Sequence, residues 1–270
     1  MNPSFLAQLQ ETAQMAARRA GKLIREQYGK PHQIRFKGDP RDLVTETDRA
    51  AEAAALELIR SRHPDHAILS EEDPHSKPGP DGRWNIPPGV VWMVDPLDGT
   101  TNYASAIPFV SVSVGVAIDR QPVVGAIYDP LRDELFLAAG GLGATLNGRT
   151  LGPLAPVPLE RAVLSVDWTH TPAIRSRSLA MVTALAARCR TVRALGSAAL
   201  GLAYVACNRV QMYLSLGLQP WDTCAGAIII REAGGAVVHP DQPEWQIGQP
   251  ALLAAHSELL TQAREVLKDL

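Results

Sequence analysis

The stretch VVWMVDPLDGTTN, residues 90–102, decides the reading of this chain. Residues 90–94 are consecutive apolar side chains, the pattern of a short buried strand. Pro96 has no N–H to give a ladder, so the chain is expected to leave the sheet there. Asp95 and Asp98 flank that exit, and both can point into one space at the carboxyl end of the strand. Gly99 allows close backbone approach, and Thr100, Thr101 and Asn102 have the chemistry of a helix start. The run thus joins two hard anionic oxygen donors to a patch of free backbone N–H groups. Such oxygens suit Mg²⁺, which takes carboxylates plus substrate phosphate, and the N–H groups suit a phosphate. Asp95 alone reads equally as a turn or cap residue; the whole run after an apolar strand does not.

Further acids lie on both sides of this run. A short strand over Ala67–Ser70 runs straight into Glu71. If that strand neighbours residues 90–94, Glu71 joins the same space; otherwise it is a surface acid. Asp42 and Asp48 bracket Val44 and Thr45, and each reads as a helix cap or as a site residue. Thr45 and Asp48 are spaced as a capping pair for a helix that stops before Pro64. Asp222 precedes an apolar helical run at 225–230 and either caps that helix or aims a carboxylate across the site. Clustered carboxylates oppose one another's ionisation unless cations lie between them, and two divalent ions can hold a phosphate without any basic cluster.

The 270 residues are 46% hydrophobic and 20% charged, with a formal charge of −2. That length fits one or two domains, and the balance argues against a dedicated nucleic-acid binder. The total hides an asymmetry: residues 1–38 carry +5, residues 39–98 carry −7 and residues 99–270 carry zero. No apolar run reaches the length of a membrane span, and the first residues lack a secretory layout, so the expectation is a cytoplasmic chain. Cys189, Cys207 and Cys224 form no CxxC pair and read as buried free thiols.

A long N-terminal helix ends at Gly29 and Pro31, and residues 32–44 read as an exposed hairpin or loop. Residues 74–89, with five prolines, read as a loop. Alternating residues at 110–118 and 123–128 form a hairpin, and Asn147-Gly148 marks another turn. The first half, 1–152, is an α+β unit with an antiparallel run. The Pro-rich segment at 152–158 separates it from an alternating α/β half, 153–270. In that half, strands at 163–166, 191–195, 210–214, 236–239 and 252–255 alternate with helices at 176–189, from Ser197, from Asp222 and at the end of the chain.

Together, four elements resemble the inositol monophosphatase family over nearly the whole chain: Asp42–Asp48, Ser70-Glu71-Glu72, Trp92–Asn102 and Trp221-Asp222-x-x-Ala225-Gly226, with Gly234-Gly235 after the last of them. The resemblance implies a layered αβαβα sandwich of the sugar phosphatase type, usually dimeric, and a lithium-sensitive, Mg²⁺-dependent phosphatase. It implies that Glu71, Asp95 and the Leu97 carbonyl hold a first Mg²⁺, that Asp95, Asp98 and Asp222 hold a second, and that a weaker third lies near Glu71. Glu71 and Thr100 would position the attacking water, with Asp48 behind Thr100. Gly99 and Thr100 would bind phosphate, Gly196, Ser197 and Ala198 would touch the alcohol, and Lys37 would close over the metals. Relatives most selective for inositol phosphate carry an acid seven positions before the final metal-binding Asp; here that position is Ser215.

The implied reaction is hydrolysis of a small alcohol phosphate, with myo-inositol 1-phosphate as default substrate. Fructose 1,6-bisphosphate and adenosine bisphosphates are alternative substrates of the same chemistry. A non-catalytic role in RNA or transcription complexes is the rival class. Two weaker signals take plainer readings: His63-Pro-Asp-His66 as a helix end rather than a zinc site, and Arg175, Arg177, Arg188, Arg190 and Arg193 as a solvated helix face.

Overall fold

The structure is a computed structural model that describes residues 2–30, 34–36, 43–79, 82–169, 171–242, 244–268 and 270. Lys37 and Asp42 lie outside the described residues. Helix α1 (Pro3–Gln27) starts at Asn2, whose Oδ1 accepts from Ser4 N, and buries Leu9, Ala13, Ala16, Ala20 and Ile24 at helical spacing. Strands β1 (Ile34–Phe36) and β2 (Leu43–Thr45) pair antiparallel. Helix α2 (Glu46–Arg62) opens with the expected reciprocal cap, in which Thr45 and Asp48 satisfy each other's backbone N–H groups.

The main sheet has seven strands in sequence order: β3 (Ala67–Ser70), β4 (Val90–Asp98), β5 (Ser111–Ile118), β6 (Gln121–Asp129), β7 (Glu134–Ala139), β8 (Ala144–Leu146) and β9 (Arg149–Thr150). The β3–β4 pair is parallel and the rest are antiparallel. Two-residue turns at Asp119-Arg120 and Asn147-Gly148 have positive φ at both positions, the mirror-image geometry that matches strand twist.

Strand β4 corrects one sequence expectation. The chain does not leave the sheet at Pro96: Asp95 pairs with Ser113 and Asp98 with Ser111, so three steps on β4 oppose two on β5. In a regular strand, residues three apart point to opposite faces. The extra residue restores the phase, so Asp95 and Asp98 share a face, and the proline sits where the ladder is already broken.

After β4, helix α3 (Thr100–Ala104) begins at Gly99, whose φ is 95°. The second sheet contains β10 (Val163–Val166), β11 (Thr191–Ala194), β12 (Met212–Ser215), β13 (Ala236–Val238) and β14 (Leu252–Ala255), in the order β11-β10-β12-β14-β13. Its helices are α4 (Pro172–Ala186), α5 (Ala198–Ala206), α6 (Pro220–Glu232) and α7 (Ser257–Leu267). Helix α4 starts four residues before the expected 176, because Thr171 and Pro172 supply a cap position and a first-turn proline. For the same reason α6 starts at Pro220, which makes Asp222 its third residue and Gln219 its cap. Cys224 is buried, whereas Cys189 and Cys207 are only half-buried; all three are free.

Three apolar clusters define five layers. One lies between α1/α2 and the main sheet, with Trp92, Val94, Val112 and Val114 facing the helices. The second joins the other face of that sheet to α5, α6 and the second sheet. The third joins the second sheet to α4 and α7. The order is therefore α–β–α–β–α, as expected. Helix α6 reaches the main sheet where Gly115 and Gly125 are register partners. A Cβ on Gly115 would lie 2.6 Å from Cys224 Cβ, and one on Gly125 2.4 Å from the Ala225 carbonyl oxygen.

Candidate metal and phosphate site

The parallel pairing of β3 with β4 meets the condition set for Glu71. Ser70 is aligned with Val94, and Glu71 N donates to the Val94 carbonyl at 3.1 Å, which brings Glu71 beside Asp95. Asp95 Oδ1 accepts from Leu97 N at 3.0 Å, inside the bulge. Its carboxyl is held well above the usual carboxylate range, first by burial, then by the charges of Glu71, Asp98 and Asp222. A hydrogen bond with Glu71, which needs a proton between the two acids, acts in the same direction.

Asp98 lies at the start of α5. It accepts from Ala198 N (3.0 Å), Ala199 N (2.9 Å), Ser197 Oγ (2.5 Å) and Ser111 Oγ (3.1 Å). Four donors and a helix N-terminus favour its charge. Burial still outweighs them and raises its pKa. Asp222 accepts from Gln219 N at 2.7 Å, and burial, with Asp98 and Glu71, raises it strongly.

Behind these acids, Asp48 accepts Thr45 N and Thr45 Oγ1 on one oxygen and Thr100 Oγ1, at 2.9 Å, on the other. Thr100 Oγ1 is also 3.1 Å from the Leu97 carbonyl, so one hydroxyl proton faces two acceptors. Gly99 fits only as glycine: besides its positive φ, a Cβ would lie 2.9 Å from the Gly196 carbonyl oxygen. Asn102 ties the same loops together, its Nδ2 donating to the Phe109 and Leu195 carbonyls, each at 2.8 Å.

A cleft of about 430 Å³ gathers most of the expected residues on its walls: Glu71, Asp95, Leu97, Asp98, Gly99, Thr100, Gly196, Ala198, Ser215 and Asp222. Asp48 stands behind Thr100. Ser197 turns its hydroxyl toward Asp98 and Ser111. Among the described residues, no three His, Cys, Asp or Glu side chains stand close enough together to close on one metal ion. The donor set nonetheless fits a hard cation. It is all oxygen, and its buried carboxyls raise one another's pKa, a repulsion that a divalent ion between them would relieve.

Asp167 and Trp168 line the cleft and escaped the sequence reading, as did Leu218 and Gln219, and Arg175 was not assigned to the site. Asp167 directly follows β10 as Glu71 follows β3, and that parallel was a usable signal. It accepts from Gly196 N (3.0 Å) and Tyr213 Oη (2.7 Å), and burial, with the Asp98 charge, pushes its carboxyl up to about 7. Arg175 was grouped with the surface arginines. The expected helix face does not form as one: only Arg175 and Arg177 lie on α4, Arg188 and Arg190 follow it, and Arg193 is on β11; Arg177 pairs with Asp241, and Arg193 folds back on Thr191 and Val192. The His63 and His66 rings stack 4.8 Å apart at the end of α2, where Trp92 Nε1 donates to His66 Nδ1.

Solved structures share this fold. The native suhB extragenic suppressor protein of Bartonella henselae matches with a TM-score of 0.86 and 31% identity, over 96% of this chain and 98% of that one. Inositol-1-monophosphatase of Synechocystis is 40% identical over 270 residues, 98% of this chain and 91% of that protein. Nus factor SuhB of Escherichia coli K12 is 40% identical over 225 residues, 82% and 81% of the two chains. These likenesses define a phosphatase of a metal-dependent class. The chain belongs to the inositol monophosphatase family, which matches it over residues 6–269. No helix among the described residues is long and apolar enough to cross a membrane.

Proposed function

We propose that the protein is a Mg²⁺-dependent phosphomonoesterase that hydrolyses a small alcohol phosphate, with myo-inositol 1-phosphate as first substrate. The observation that carries this reading is the convergence of Glu71, Asp95, Asp98 and Asp222 on one cleft from two strand ends, a bulge and a helix start. Glu71, Asp95 and the Leu97 carbonyl would hold one ion, and Asp95, Asp98 and Asp222 another, with a weaker third near Glu71. When bound, such ions make a hydroxide available near neutral pH and stabilise charge on the transferred phosphoryl group. The chain's own part is positioning. Glu71 and Thr100 hold the attacking water, and Asp48 fixes the Thr100 hydroxyl through the 2.9 Å contact. Gly99 and Thr100 N–H groups face the phosphate, since the first N–H groups of a helix lack partners within it. Gly196, Ala198 and Ser215 contact the alcohol; Ser197 acts through Asp98. Lys37 would close over the metals, and the working form would be a lithium-sensitive cytoplasmic homodimer.

Assaying myo-inositol 1-phosphate, fructose 1,6-bisphosphate and phosphoadenosine phosphate side by side with Mg²⁺ ranks the substrates. Negligible rates on all three would remove the reading. The likeness to the SuhB relatives supports a second reading, a transcription-complex role independent of hydrolysis. An Asp98→Asn protein that loses turnover yet still binds such a complex would separate the two.

A further inference from the structure

The cleft gathers Glu71, Asp95, Asp98 and Asp222 at one end, and the other end carries one acid, Asp167, and one cationic side chain. Among its described lining residues, Arg175 alone is basic. It sits in the first turn of α4, and its Nε donates to the Thr169 carbonyl at 2.9 Å, which leaves the two terminal nitrogens of the fork to other partners. No acidic side chain among the described residues pairs with it. The loop that anchors it is itself held down: a Cβ on Gly217, after β12, would lie 2.6 Å from Thr169 Cβ.

The other distal groups sharpen what this end can accept. Each Asp167 oxygen already takes a hydrogen bond, from Gly196 N and from Tyr213 Oη. Ser215 lines the same cleft with a hydroxyl, which carries no charge. Arg175 is therefore the charged donor of this wall, with both terminal nitrogens turned to other partners than the Thr169 carbonyl, and such a donor calls for an acceptor-rich ligand. A planar guanidinium matches phosphate oxygens two at a time.

We propose that Arg175 is a specificity-determining residue that binds a second phosphate group on the alcohol portion of the substrate. The cleft would then favour bisphosphorylated alcohols over phosphate esters of neutral polyols. This rests on the phosphatase reading above and puts a bisphosphorylated alcohol ahead of myo-inositol 1-phosphate as its substrate.

The test compares kcat/KM for fructose 1,6-bisphosphate and fructose 1-phosphate with Mg²⁺ in the wild-type protein, in Arg175→Gln and in Arg175→Lys. The expected wild-type ratio is about tenfold or more in favour of the bisphosphate, falling to near unity in Arg175→Gln. Arg175→Lys keeps the charge without the fork and should fall between. If Arg175→Gln is misfolded by circular dichroism, the lysine variant and the decline of the wild-type ratio with added salt carry the test. A wild-type ratio near one, or a ratio that neither substitution nor salt changes, overturns the proposal. No hydrolysis of either ester or of myo-inositol 1-phosphate overturns the phosphatase reading itself, and the assignment of Arg175 with it.

Discussion

The two ends of the cleft are built differently. At the acidic end every functional side chain is tied to sheet register or to a helix start: Glu71 and Asp95 through β3 and β4, Asp98 through four donors, Asp48 through Thr45 and Thr100. At the distal end Arg175 hangs on one bond to a loop carbonyl, and Trp168 is 42% exposed. Positions fixed by backbone pairing change only if the sheet changes. A side chain on a loop and a helix face can be replaced at little cost to the fold. Under the proposed reading, reaction type is anchored in the first end and substrate choice in the second.

The sharpest way to break this contrast is at the acidic end. Asp95→Asn or Asp98→Asn should lower kcat by about 10³-fold or more, since each removes a charge that the proposed ions require. Circular dichroism of Asp95→Asn should stay native, because the amide oxygen still accepts from Leu97 N and the lost charge relieves the mutual repulsion of the acids, whereas Asp98→Asn turns an amide NH2 on the donors of α5 and should also lower Tm. Retained activity would sink the assignment. Gly99→Ala comes next. A positive φ and a close approach to the Gly196 carbonyl should cost about 1–3 kcal/mol of stability, read by denaturant midpoint, together with most of the activity. Asp48→Asn should lower kcat by about 10–100-fold with little change in KM, the scale seen when an orienting partner is lost.

A smaller effect concerns pH. Asp167 has a folded-state pKa of about 7, above its unfolded value of 3.8. Folding then takes up a proton, so this contribution to stability is full below about pH 4 and is lost as the pH rises through 7. In chelator, the Tm of Asp167→Asn should therefore gain on wild type between pH 5 and pH 8; parallel Tm curves would contradict this. Asp95, Asp98 and Asp222 are raised as well, so added Mg²⁺ should raise Tm more at pH 8 than at pH 6. The smallest effect should come from Trp168→Ala, which at an exposed rim should change kcat/KM by less than about fivefold.

Much of the acidic end was legible because its signals are local. An apolar run followed by Asp, a Thr45/Asp48 cap and an Asn-Gly turn each declare themselves within a few residues, and the structure has all three. Ala67–Ser70 was readable for the same reason. The Pro96 bulge was not, because a bulge exists only relative to a partner strand, and nothing in residues 90–102 states the register with β5. Asp222 was misplaced by two residues of helix start, since Gln219 is a less familiar cap than Asp. Arg175 was lost among four similar arginines nearby in sequence, of which only Arg177 shares its helix. Its place near the start of α4, bonded to the Thr169 carbonyl, separates the one that lines the cleft from those that meet solvent.

The facing glycines of β5 and β6 carry a further consequence. Because Gly115 and Gly125 let α6 settle directly on the main sheet, the thickness of that contact sets how far Asp222 stands from Asp95. The pair works as a shim between two plates. A methyl group added at either glycine touches no ligand, yet it would lift the helix and widen the gap that the cations must span. Affinity for metal would then fall with every acid still in place, and the fault would lie in the spacing of the layers.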